Sequence, residues 1–186
     1  MVLMVRLLLP FTHGIDSPAI TSALALARQM NATLILLSLI PDQQAPGKGP
    51  RWEDIQQSRD FLEFTQHKAA RLDVPVERVE LFTRNAPRSI RTFAWEMDCA
   101  GIVLAMRGER GILLDTREIQ QLLGEKNPPI YMVSFLAKKR LFSWPGWFSR
   151  QRDKATEPPA SSVLHWKVFA AQSAYQSHGP HVLTDS

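Results

Sequence analysis

Five short strand-like runs, at residues 3–9, 33–40, 77–83, 101–106 and 130–136, alternate with segments of helical periodicity. This alternation constrains the fold more than any other feature of the chain. Strands that alternate with helices form a mostly parallel sheet with helices on both faces. The runs LMVRLLL, TLILLSLI, GIVLAM and IYMVSFL are apolar almost throughout, as strands buried on both faces require. ERVELFT instead sets Val79, Leu81 and Thr83 against Arg78, Glu80 and Phe82, the alternation of a strand near the sheet edge.

The intervening segments carry helix signals. Ser17-Pro18 reads as an N-cap followed by proline at the first helical position, and Ile20, Ala23, Leu24, Ala27 and Met30 share one face of a helix over 18–30. A second helix is expected from Trp52 to Leu72, with Trp52, Ile55, Leu62 and Ala69 on its inner stripe, Phe61 and Phe64 beside it, and a break at Asp73-Val74-Pro75. A third covers 88–98, with Ile90, Ala94 and Met97 inward. A fourth covers 115–123, where Asp115 and Glu118 have capping-box spacing, Ile119, Leu122 and Leu123 face the core, and Gly124 is the C-cap. Residues 41–50, rich in proline and glycine, form an exposed loop. The fold class is therefore α/β: a three-layer sandwich of a five-stranded, mostly parallel sheet and four helices over residues 1–137, followed by a C-terminal extension, 138–186.

Charge divides along the same boundary. Residues 1–137 hold 15 basic and 15 acidic side chains, whereas residues 138–186 hold 7 and 3. The pI near 9.5 thus describes the extension, and a basic body that wraps nucleic acid is not expected. The single cysteine, Cys99, excludes an internal disulfide or a cysteine-based zinc cluster and fits a reducing cytoplasm. At a helix–strand junction it reads as a small buried apolar residue. Arg6 interrupts the N-terminal apolar run and Pro10 ends it with no small-residue cleavage pattern after it, so a secretory leader is not expected. No apolar run is long enough to cross a bilayer.

In a parallel sheet the ligand crevice lies beyond the carboxyl ends of the strands, where the strand order reverses. That directs attention to Phe11–Asp16, Pro41-Asp42 and Arg107–Gly111. The stretch CAGIVLAMRGERG, Cys99 to Gly111, resembles the fourth strand and following loop of the universal stress protein family. Ile102, Val103 and Leu104 match the strand, and Arg107, Gly108 and Gly111 match the Arg/His-Gly-x-x-Gly loop. The strand ending at Pro10, the ALALA segment of the first helix and PPIYMV agree in place and order, so the resemblance spans roughly 3–136.

The resemblance implies an adenine-nucleotide alpha-hydrolase-like fold, binding of ATP or AMP, and a homodimer through the last strand, 130–136. It places nucleotide contacts at Thr12, Gly108, Gly111 and, aligned back from Pro129, Thr116, while Arg107 and Arg110 offer phosphate charge beside them. Glycines there let consecutive backbone N–H groups at a helix N-terminus approach phosphates closely. Two departures weaken the site. Thr12 stands where the family has an adenine-side Asp, and the family's phosphate-binding Gly-Ser/Thr is absent, with Thr116-Arg117 the nearest substitute. No cofactor is therefore certain. The resemblance and these departures together suggest a regulatory or adaptor protein with weakened nucleotide binding, the alternative being an ATP/AMP sensor that uses Gly108–Gly111. No catalytic residue and no metal-ligand spacing stand out.

The extension begins KKRLFSWPGWFSRQR. Lys138, Lys139 and Arg140 supply charge, and Phe142, Trp144, Trp147 and Phe148 supply aromatic anchors. Such a segment can pack on the body, dock into a protein partner or lie at a membrane surface; nucleic acid is the weakest option. Residues 163–176 have the pattern of one short amphipathic helix.

Overall fold

The structure is a computed structural model, and it describes residues 5–42, 49–124, 128–135 and 166–168. The elements follow in the order β1 (Val5–Phe11), α1 (Ser17–Gln29), β2 (Ala32–Pro41), α2 (Trp52–Leu72), β3 (Val76–Thr83), α3 (Ala86–Glu96), β4 (Gly101–Arg107), β5 (Arg110–Ile112), α4 (Thr116–Leu123), β6 (Ile130–Phe135) and β7 (Trp166–Val168). The sheet runs β3-β2-β1-β4-β6-β7, and β5 pairs with β4 outside that path. The five strands from β3 to β6 are mutually parallel, as expected.

Alternation along the strands feeds two separate cores. Leu7, Leu9, Phe11, Leu34, Leu36, Val103 and Ala105 face α1 and α2, meeting Ile20, Leu24, Phe61 and Leu62. Leu8, Ile35, Leu37, Leu39, Ile102 and Leu104 face α3 and α4, meeting Ile90, Ala94, Ile119 and Leu122. The Phe11 and Phe61 rings stack at 4.0 Å and tie the end of β1 to α2. Fully burying an apolar side chain of this size is worth about 1.5–3 kcal/mol, so the central strands carry much of the stability.

The structure corrects several local expectations. The α1 cap is Asp16 rather than Ser17: its Oδ1 accepts from the Ala19 N–H at 2.9 Å. Trp52 begins α2 but is 66% exposed, because the fully buried stripe starts only at Ser58 and the first turn stands clear of the sheet. Leu123 is 50% exposed, on the last turn of α4 beyond the buried Ile119 and Leu122. β1 runs on through Pro10 to Phe11. A proline is tolerated there because β1 and β4 are in register only at Leu7 and Leu8, so Pro10 lies where the two strands have parted. The segment after β4 is not an open loop; residues 110–112 fold back as β5.

Within 163–176, expected to be helical, Trp166–Val168 is a strand paired antiparallel to β6; the rest of that span lies outside the described residues. Lys138, Lys139, Arg140, Phe142, Trp144, Trp147 and Phe148 also lie outside them. No helix among the described residues is long and apolar enough to cross a membrane.

Two buried hydroxyls, of Ser38 on β2 and Thr65 on α2, have no hydrogen-bond partner among the described residues. An unpartnered buried polar group costs about 1–3 kcal/mol. Ser38→Ala should therefore hold or raise the thermal midpoint, whereas Phe61→Ala should lose about 3–5 kcal/mol in a denaturant titration. Cys99 is buried beside β4, and that burial pushes its thiol up to about 11. A thiol whose folded value lies above its unfolded one holds its protons longer when folded. Stability from Cys99 should be complete below about pH 9 and lost as pH climbs towards 11, while Cys99→Ala should flatten that limb of the pH–stability curve.

Candidate functional site

The strand order reverses between β1 and β4, and the segments leaving their carboxyl ends flank the crevice. Thr12, Arg107, Gly108, Arg110, Gly111 and Thr116 all lie there. The backbone brings these predicted residues to one place, and Thr12, Arg107, Gly111 and Thr116 each bond to another part of the chain there.

The β4–β5 hairpin accounts for both glycines. Arg107 pairs with Arg110, leaving Gly108-Glu109 as a two-residue turn. Gly108 has φ +62°, and a turn of the II′ kind requires glycine at that first position. Gly111 sits against the start of α4. A Cβ there would strike the Leu114 carbonyl and come within 3.0 Å of the Thr116 amide nitrogen. The Gly111 N–H donates to Thr116 Oγ1 at 3.0 Å. The glycine is needed for close approach, but what approaches is the protein's own backbone.

Leu113 closes the crevice from the other side. It holds φ +70°, a left-handed conformation that strains a leucine, and its side chain is buried. In that conformation its carbonyl accepts from the N–H of Thr12 at 2.8 Å and of His13 at 3.3 Å. Those two amides, at the end of β1, would otherwise point into the crevice as anion donors.

Side chains complete the closure. Thr12 Oγ1 lies 2.9 Å from Glu118 Oε2, 3.0 Å from His13 Nδ1 and 3.4 Å from the Leu113 carbonyl. One hydroxyl proton serves one acceptor well, and the carboxylate contact is the short, charge-assisted one. Thr12 therefore donates to Glu118 and can accept from His13. Glu118 Oε2 also accepts the Asp115 N–H at 2.8 Å, forming the expected capping box with Asp115. Two carboxylates, Asp115 and Glu118, thus cap the first turn of α4.

Arg107 does not reach freely into the crevice. Its guanidinium donates to Asp16 Oδ2 at 2.7 Å and lies 5.9 Å from the centre of the Phe135 ring. Asp16 joins α1 to β4 by serving as cap and counter-ion together. Arg110 pairs with Arg107 through its backbone and is exposed. Beyond β2, Asp42 pairs with Arg84 at 2.8 Å. An opening of about 620 Å³ lies between α3 and α4, lined by Asn85, Arg88, Arg91, Thr92 and Gln121; it includes none of the predicted ligand residues.

Sequence reasoning identified Asp115 and Glu118 as a cap but missed the reach of Glu118 to Thr12, 106 positions away. It also missed Leu113. Nothing in a leucine between two apolar neighbours signals positive φ.

The hairpin geometry makes a direct test. Gly108→Ala should lose about 1–2 kcal/mol for a left-handed residue. Gly111→Ala should lose about 1–3 kcal/mol for overpacking against backbone. Denaturant midpoints measured without any ligand read both losses. An open cradle waiting for a ligand would leave the stability of the Gly111 variant unchanged.

The model of the universal stress protein family matches residues 8–115. Solved structures agree in fold. A universal stress protein family member from Burkholderia pseudomallei is 20% identical, with a TM-score of 0.56 over 69% of this chain and 94% of that one. A universal stress protein from Archaeoglobus fulgidus, solved in complex with dAMP, is 17% identical, with a TM-score of 0.53 over 74% and 100%. A family protein from Arabidopsis thaliana, solved with AMP bound, is 14% identical, with a TM-score of 0.51 over 75% and 97%. No curated protein matches the chain significantly. With more than half of its length matched by the family model and the sheet order in place, the chain belongs to the universal stress protein family.

Proposed function

We propose that this chain is a non-enzymatic regulatory or adaptor member of its family, with nucleotide binding weakened or lost. The observation that carries the reading is the Leu113 carbonyl taking the Thr12 and His13 amides, with the Glu118 carboxylate fixed beside it. A phosphate at the start of α4 would meet Asp115 and Glu118 at close range and find the Thr12, His13 and Gly111 amides engaged. The helix N-terminus favours anions, but here two carboxylates of the chain already answer it. His13 and Asp16, in the segment after β1, are engaged with Thr12 and with Arg107 and the α1 cap.

In this reading the work is done by surfaces. Self-association runs through 130–136, and the basic, aromatic segment with Lys138, Lys139, Arg140, Phe142, Trp144, Trp147 and Phe148 docks onto a protein partner. Tryptophan and arginine are favoured interface anchors, and the neutral body gives nucleic acid little long-range attraction.

The second reading is an ATP/AMP sensor using Gly108–Gly111. It is favoured by the relatives solved with dAMP and with AMP. Titration calorimetry of the full chain with ATP and with AMP, carried to millimolar concentration, separates the two. Flat traces are expected. A saturable, one-site isotherm that disappears in Gly111→Ala, in a sample shown to be folded by circular dichroism, would establish the sensor instead.

A further inference from the structure

We infer that the outer face of α3, together with the recess between α3 and α4, is a docking surface for an acidic peptide segment of a partner protein, with Arg88 and Trp95 as its anchors. It shares no residue with the crevice or with the basic segment that starts at Lys138.

The residues of α3 divide by angle around the helix. Pro87, Ile90 and Ala94 are buried, and Ile90 and Ala94 pack into the core beneath. Arg88, Arg91 and Trp95 recur at spacings of three and four, so they share one stripe on the opposite side. The only acidic residue of α3 is Glu96, at its last position and more than two turns beyond Arg88. The first turn of α3 carries no carboxylate, in contrast to that of α4.

This stripe borders the recess of about 620 Å³ lined by Asn85, Arg88, Arg91, Thr92 and Gln121. Among the described residues that line it, every charged one is an arginine. Arg91 has a structural task as well: its Nη1 lies 3.5 Å from the Gln121 carbonyl, near the end of α4. That contact ties the two helices together and keeps a guanidinium at the mouth of the recess. Arg88 is exposed, and Trp95 is 77% exposed. An indole so open to water adds little to the fold by burial, and it stands where a partner can cover it.

Tryptophan and arginine are the side chains on which interface energy concentrates, and a guanidinium takes a carboxylate in a bidentate pair. The spacing selects the occupant. From Arg88 to Trp95 the stripe runs about 10 Å along the helix axis, longer than one small anion. An acidic peptide meets all of it, with carboxylates on the arginines and an apolar side chain over the indole. A bilayer suits the same residue types, but it offers a plane and not a segment that enters a recess. Nucleic acid would find a neutral body, since residues 1–137 hold 15 basic and 15 acidic side chains. The indole then supplies most of the affinity, and the arginines select the sign of the partner's charge.

Fluorescence anisotropy of the full chain with a labelled peptide tests this. The probe is a fluorescein-labelled amphipathic helix with glutamates along one face and leucines beside them; its control has glutamine at every glutamate. The glutamate peptide should bind saturably, and the glutamine peptide about tenfold more weakly. Arg88→Glu and Trp95→Ala should each weaken the glutamate peptide about tenfold. Arg59→Glu, the same charge change at an exposed site on α2, and Lys138→Glu/Lys139→Glu should leave binding in place. No saturable binding, or equal binding of the glutamine peptide, would overturn the assignment. So would an equal loss in Arg59→Glu, which would reduce the attraction to net charge. A loss confined to Lys138→Glu/Lys139→Glu would place the peptide on the C-terminal segment, overturning the α3 surface while leaving that segment's docking role standing. Co-sedimentation with phosphatidylserine vesicles that Trp95→Ala abolishes, without peptide binding, would identify a membrane face instead. If circular dichroism shows either α3 variant unfolded, amide resonances of the unaltered chain decide. The peptide should shift those of 88–95 and 121, and shifts confined to other residues would count against the surface.

Discussion

The Leu113 carbonyl is the point on which the crevice depends. It takes the two amides leaving β1, and it can do so only because Leu113 accepts a left-handed backbone. The buried side chain holds the residue in that conformation against a strain of about 1–3 kcal/mol. Around this bond everything else falls into place. β5 must fold back on β4 to bring Leu113 to β1; Gly108 allows the reversal; Gly111 lets the hairpin lie on α4; and Glu118 then meets Thr12.

The same arrangement shows how the donors around a helix N-terminus can be answered by the chain's own groups without any change of fold. The helix N-terminus, the glycines and the strand reversal all remain. What changes is the partner of each donor. Thr116 bonds the Gly111 amide, Asp115 and Glu118 cap α4, and Arg107 is held by Asp16. A glycine pattern is evidence of close backbone approach, and only the tertiary structure decides what does the approaching.

Much of the fold was legible because burial on two faces leaves a strong imprint. The apolar runs around Leu7, Leu36 and Val103, and the helical stripe through Ile20, Leu24 and Ala27, admit few alternatives. The capping box at Asp115 was legible because it is local. What escaped was either non-local or unmarked by composition. Asp16, the observed cap, also answers Arg107, 91 positions on, a contact that no local pattern marks. Arg110, Gly111 and Ile112 lack the pattern of a strand, and they pair only because a tight turn delivers them to β4. Trp52 looked inward because periodicity cannot say where a long helix overhangs its sheet. Trp166–Val168 takes its conformation from the edge it joins.

The two clasps at the crevice differ in kind. The Arg107–Asp16 pair is an ion pair with Arg107 about half exposed, so dissolved salt screens it. The Leu113 bonds join neutral backbone groups and are largely indifferent to salt. Ionic strength thus acts on the ion pair and leaves the Leu113 bonds largely untouched. It loosens the hold of β4 on the start of α1 and leaves β1 fastened to the turn before α4, so the local medium can change the mobility of this corner while its closure persists.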